Sequence, residues 1–216
     1  MTMRGYLITL EGIDGTGKST VAAMLARMLE REDSPIKREF VFTAEPTESE
    51  VGRLLKKRLQ TGETSGLKHL EDLFLFMADH ADHLAEEVIP ALDRGAVVIS
   101  DRYSDSRVAY QGATLRGIVP DPMTWVRELH EPWSMVPDLT ILFALDPSTA
   151  VERCKSRSCN AEPERFEQEA LLRKVAENFH SLAELEPDRF VLIDAGRGPE
   201  DVFEQVLAAI TGILGV

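Results

Sequence analysis

Cysteine is almost absent, with two in 216 residues. Cys154 and Cys159 lie in a polar stretch with no second Cys or His pair beside them, which excludes a disulfide framework and a zinc site and leaves two incidental thiols in a reducing cytoplasm. Long apolar runs are also missing. The stretch Tyr6 to Leu10 is too short for a signal sequence, and nothing approaches the roughly 18 apolar residues of a membrane span. Basic charge is in deficit: 24 Lys and Arg face 37 Asp and Glu, a formal charge of −13, the wrong sign for gripping nucleic acid or an anionic membrane. Any anionic ligand must therefore meet a local basic site. Repeats, linkers and low-complexity tracts are absent, so the expectation is one domain over residues 1–216.

What is present alternates strand and helix patterns. Tyr6 to Leu10 reads as a strand closed by Gly12, and Val21, Leu25, Met28 and Leu29 follow at helical spacing. Phe40 to Thr43 is a second strand, and Thr47 to Glu50 has capping-box spacing ahead of a helix carrying Val51, Leu54, Leu55 and Leu59. A longer helix is expected from about Leu67 to Ile89, then strands at Ala96 to Ile99 and Leu139 to Leu145. Between those strands, Asp121-Pro122 reads as an N-cap and first turn. Asp146-Pro147 starts another helix, a polar stretch from Ser156 to Glu164 interrupts, and Phe166 to Leu185 resumes helical spacing. Phe190 to Ile193 and Pro199 to Leu214 close the chain as strand and amphipathic helix. Strands without polar alternation, separated by helices, predict an α/β fold with a five-stranded parallel sheet wrapped by helices.

Gly12-Ile13-Asp14-Gly15-Thr16-Gly17-Lys18-Ser19 fits G-x-x-x-x-G-K-[ST] and falls between a predicted strand and helix, the context that separates a P-loop from a chance match. The glycines let backbone N–H groups curl around phosphate oxygens, Lys18 neutralises β and γ oxygens, and Ser19 offers a hydroxyl to Mg²⁺. That implies ATP or a relative bound by residues 12–19 with Thr20. The chain has no Asn-Lys-x-Asp guanine motif and no extra lysine early in the loop, which weighs against GTPase switches and partition ATPases.

Together with that loop, the run Asp101-Arg102-Tyr103-Ser104-Asp105-Ser106-Arg107-Val108-Ala109-Tyr110-Gln111 resembles the thymidylate kinase family of P-loop nucleoside monophosphate kinases. The resemblance extends through Glu45-Pro46, Pro137-Asp138-Leu139-Thr140, a basic lid at about 156–165 and Ile193-Asp194-Ala195, nearly the whole chain. It implies transfer of the ATP γ-phosphoryl to dTMP with Mg²⁺ by a cytoplasmic homodimer that binds neither nucleic acid nor membrane. Residue by residue, it implies that Asp14 holds the deoxyribose 3′-hydroxyl and Arg102 the acceptor phosphate. Asp101 with Ser19 would organise Mg²⁺, partly through water. Tyr110 would crowd the ribose 2′ position and Phe76 would stack on thymine, with Glu45, Pro46, Ser106 and Gln111 completing the acceptor site. As ordinary residues, Phe76 and Tyr110 would be core aromatics, Asp101 a helix cap and Arg107 an exposed helix arginine.

Two departures from the family pattern stand out. His80 occupies the place of the arginine that donates to thymine, and Arg107 replaces a small residue, so the guanidinium is read as restored from the opposite wall, with His80 and Arg107 sharing base recognition. Gly15 cannot supply the extra cation some members carry in the loop, so the lid must, through Arg153, Lys155, Arg157 or Arg165. Arg157 would lie over adenine, and Arg165-Phe166-Glu167 matches the lid exit. The rival readings are a kinase of another deoxynucleoside monophosphate and a regulatory P-loop ATPase with no small-molecule acceptor.

Overall fold

The computed structural model describes residues 4–31, 36–60, 66–157 and 169–216, without the side chain of residue 157. Its sheet has five parallel strands in the order β2-β3-β1-β4-β5: β1 (Tyr6–Glu11), β2 (Phe40–Ala44), β3 (Val97–Asp101), β4 (Leu139–Ala144) and β5 (Phe190–Asp194). The helices are α1 (Lys18–Leu29), α2 (Glu50–Gln60), α3 (Lys68–His83), α4 (Ile89–Asp93), α5 (Ser104–Thr114), α6 (Pro122–His130), α7 (Pro147–Arg157), α8 (Glu169–Leu185) and α9 (Pro199–Leu214).

The central strands are covered on both faces, which is why they lack polar alternation. Ile8, Leu10, Val97 and Ile99 pack with Val21 and Leu25 of α1 and Val202, Val206 and Ile210 of α9. Leu7 and Val98 turn the other way, onto Val88, Ala91 and Tyr103. The edges differ from the uniform burial expected. β2 is half-buried, and Val191 and Leu192 of β5 are exposed.

Register places the carboxyl ends of β1 and β3 side by side, Leu10 against Asp101. There parallel α/β sheets bind ligands, and there the chain sets the P-loop and Asp101-Arg102. The long helix runs as α3, a π turn at Leu84–Val88, and α4, reaching Asp93 rather than Ile89. The Ile89 N–H reaches back to Leu84 O, an i→i+5 bond one residue before Pro90, which has no N–H to donate.

Two expected caps fall differently. Ser49, not Thr47, caps α2 by accepting from Gly52 N at 3.0 Å, while the Thr47 hydroxyl donates to Asp79 and accepts from Ser49 N at 3.1 Å, one turn short of the helix. Asp121 precedes α6 at φ 37° and makes no side-chain cap bond. Of the expected lid, residues 156 and 157 close α7 and the remainder lies outside the described residues, as do Cys159 and Arg165.

Candidate active site

Glycine makes the P-loop possible. Gly15 has φ 86°, and a Cβ there would lie 2.4 Å from the Ala150 carbonyl of α7. Lys18 Nζ donates to the carbonyls of Gly12 and Ile13, each at 3.0 Å, so its ammonium lies buried across the loop. Burial, and then the Arg102 charge, bring its pKa down to about 8. Phosphate oxygens would supply the anion that restores its full charge. The Ser19 hydroxyl donates to Asp101 Oδ2 at 2.7 Å, joining the start of α1 to the end of β3. A hydroxyl and a carboxylate are the oxygen donors a hard cation such as Mg²⁺ takes.

Arg102 follows β3 in a left-handed conformation, φ 71°, held by its own N–H on Leu10 O at 3.0 Å. Its guanidinium pairs with Asp14, donates to Tyr110 Oη at 3.2 Å and to Ser106 Oγ at 3.0 Å, and lies 4.9 Å over the Tyr110 ring. Tyr110 in turn donates to Asp14 Oδ2 at 3.1 Å. Burial would raise Asp14, yet the Arg102 and Lys18 charges hold it below its ordinary pKa. Loop and acceptor wall thus share one charge-paired joint.

Beyond that joint opens a pocket. The acceptor residues expected from the sequence, Asp14, Glu45, Pro46, Phe76, Arg102, Ser106, Arg107, Tyr110 and Gln111, all line it, with Leu59 and Tyr103 added. His80 does not. Its side chain is fully buried behind Glu45, with Nδ1 2.6 Å from Glu45 Oε1 and Nε2 2.8 Å from Ser134 Oγ. The expectation that His80 shares the base contact is therefore corrected: its nitrogens are spent one layer back. Arg107 is no surface arginine either, with a side chain 1% exposed and Nη1 2.7 Å from Glu45 Oε2. The reason is α5, buried from Ser104 to Ala113.

On the other side of the loop lies a cleft of about 340 Å³ lined by Gly15, Thr20, Arg153, Ala195, Arg197 and Pro199, among others. Arg153 Nη1 donates to Ala195 O at 2.9 Å, tying α7 to the end of β5. Arg197 and Pro199 were not singled out from the sequence; their only signal was their place after the Ile193-Asp194-Ala195 run.

The comparisons with known proteins agree with this geometry. A family model described as "Thymidylate kinase" matches residues 10–206. Among relatives, the "Probable thymidylate kinase" of Methanococcoides burtonii is 47% identical over 212 residues, 98% of this chain and 99% of the relative. The "Probable thymidylate kinase" of Methanosarcina acetivorans is 51% identical over 209 residues, 96% of each. That of Halobacterium salinarum is 45% identical over 208 residues, 96% of each.

Proposed function

The chain belongs to the thymidylate kinase family and phosphorylates dTMP with ATP, and we propose that it does so across the Asp14–Arg102 joint, with ATP in the Arg153 and Arg197 cleft and dTMP in the Phe76 pocket. The observation that carries this placement is the convergence of the acceptor residues on a pocket that shares Asp14 and Arg102 with the P-loop.

In-line transfer needs positioning and charge more than proton chemistry. A phosphate monoester has its second pKa near 6, so the acceptor oxygen is mostly unprotonated at neutral pH and neither Asp14 nor Asp101 is needed as a base. Lys18 meets the β and γ oxygens. Arg102 releases Asp14 to take the acceptor phosphate, and Asp14 then accepts from the 3′-hydroxyl. Ser19 and Asp101 would hold Mg²⁺, partly through water, and the ion would supply positive charge against the phosphates. Phe76 offers a flat face for the base. Arg157 and Arg165 are the proposed lid cations.

Leu54 on α2 and Phe74 on α3 are large apolar side chains 50% and 57% exposed on neighbouring helices, and their exposure supports a homodimer through these helices. Among the described residues no helix is long and apolar enough to cross a membrane; a cytoplasmic location is our reading. ADP release from Mg²⁺-ATP, measured against dTMP, dUMP, dCMP, dGMP and UMP, tests the assignment. Turnover indifferent to every acceptor would overturn it in favour of an ATPase.

A further inference from the structure

The inner face of α3 is unexpectedly polar: Asp72, Asp79, His80 and His83 are all buried. Asp72 is paired with Arg58, and Asp79 accepts from the Thr47 and Ser49 turn. The two histidines converge on Glu45. His80 Nδ1 lies 2.6 Å and His83 Nδ1 2.8 Å from the same oxygen, Oε1, while Oε2 receives Arg107 Nη1 at 2.7 Å.

An ionised carboxylate only accepts, so both Nδ1 atoms carry protons. Burial would raise the Glu45 pKa, but Arg107 and His80 hold it well below the ordinary range. The His80 pKa is lowered as well, first by burial and then by Arg107, which for an imidazole favours the neutral ring. Its Nε2 is then free to accept from the Ser134 hydroxyl. The three ligand atoms of Glu45, His80 and His83 lie within 4.8 Å of one another, as a metal site would need. Here the Nδ1 lone pairs are replaced by N–H bonds, and a guanidinium already balances the carboxylate.

One part of the cluster is unfinished. Arg107 Nε and Nη2 and Gln111 Oε1 are buried without hydrogen-bond partners among the described residues, and both side chains line the acceptor pocket. Buried donors left unmade are costly, and a ligand is the available source of acceptors. A 4-oxo pyrimidine offers O4 as acceptor and N3–H as donor; a 4-amino pyrimidine reverses both. Gln111 can follow that reversal by flipping its amide, but a guanidinium has no acceptor to offer. Discrimination therefore falls on Arg107 and on whatever prevents it from swinging away.

We propose that Glu45, His80 and His83 are positioning residues for base selection: a two-histidine clamp on Glu45 fixes Arg107 so that its free N–H groups select a 4-oxo over a 4-amino pyrimidine. This rests on the reading that the Phe76 pocket holds the acceptor base. The clamp works through orientation, so its loss relaxes selectivity and raises the KM for dTMP while the KM for ATP stays put.

The test compares kcat/KM for dTMP and dCMP in the full-length enzyme and in three variants whose folding is checked by thermal melting. His80→Leu removes the Nδ1–H donor. His80→Asn returns an N–H near the Nδ1 position. Glu45→Gln keeps shape but turns a donor toward Arg107 or the histidines. We expect the dTMP preference to fall about ten- to a hundredfold in His80→Leu and Glu45→Gln and to return most of the way in His80→Asn. If His80→Leu does not fold, the nearly isosteric Glu45→Gln decides alone. A parental dTMP to dCMP ratio in folded Glu45→Gln, whatever its melting temperature, overturns the clamp. A wild type that uses neither nucleotide overturns the underlying pocket assignment instead.

Discussion

At the scale of single residues, the site is made of charges that are costly to bury and are tolerated because each has a partner or awaits one. Lys18 pairs with loop carbonyls and Arg102 with Asp14, both of which substrate phosphates would replace. Lys18→Ala removes charge stabilisation where it develops, so kcat should fall by roughly 10²–10³. Its buried ammonium already carries a desolvation cost, so the melting temperature should move by only about a few degrees; a near-normal kcat would sink the P-loop assignment. Arg107→Ala is different in kind, because it strands Glu45 as an uncompensated buried carboxylate, at about 3–5 kcal/mol. The kcat/KM for dTMP should fall about ten- to a hundredfold with the KM for ATP unchanged. Adding His80→Arg to that variant returns a cation to Glu45 from α3, so melting temperature and part of the dTMP activity should recover together. Strictly additive losses would show that the two walls do not share Glu45.

At the scale of elements, the P-loop depends on how closely α7 approaches it. Gly15→Ala places a methyl 2.4 Å from Ala150 O at a φ of 86°, costing roughly 2 kcal/mol or more in strain. Calorimetry should show the destabilisation, with a raised KM for ATP and an unchanged KM for dTMP if the displacement stays on the donor side. The loop itself was legible in the sequence because its signal is local: a strand, glycines at positions needing positive φ, a helix. The central strands were legible because burial on both faces leaves one apolar run. The inner face of α3 was not. Leu70, Leu73, Phe74 and Met77 lie at helical spacing and form an apolar stripe, yet Phe74 is exposed while Asp79, His80 and His83 are buried. A helix that backs a polar pocket inverts the rule that apolar faces turn inward, and only the position of Glu45, far away in sequence, reveals it. Arg197 and Pro199 escaped for the same reason, since the cleft they line with Arg153 exists only once β5 and α7 are brought together.

At the scale of the whole molecule, the buried ionisable groups set how stability follows pH. Glu11, at the end of β1, accepts from the N–H groups of Tyr103 and Ser106 and from the Ser106 hydroxyl. Burial, then Asp105, raise its pKa from 4.5 to about 8, against the lowering charges of Arg102 and Lys18. Between those values the folded chain keeps a proton the unfolded chain has lost, so stability falls as pH rises through the window. His130 runs the opposite way: burial and Arg107 lower it from 6.5 to about 3, so stability falls as pH drops from 6.5 toward 3. Lys18, lowered from 10.5 to about 8, adds stability as pH rises above 8. Together these predict that Glu11 and His130 offset each other between 4.5 and 6.5, and that Glu11 acts unopposed from 6.5 to 8 before Lys18 reverses the trend. The Glu11 limb should amount to on the order of 1–2 kcal/mol. Thermal melts across this range should show a minimum near pH 8 that flattens in Glu11→Gln, whose amide keeps an acceptor for the α5 N–H groups without a titrating charge. A minimum of unchanged depth in that variant would assign the alkaline limb to another group and leave Glu11 ionised through the neutral range.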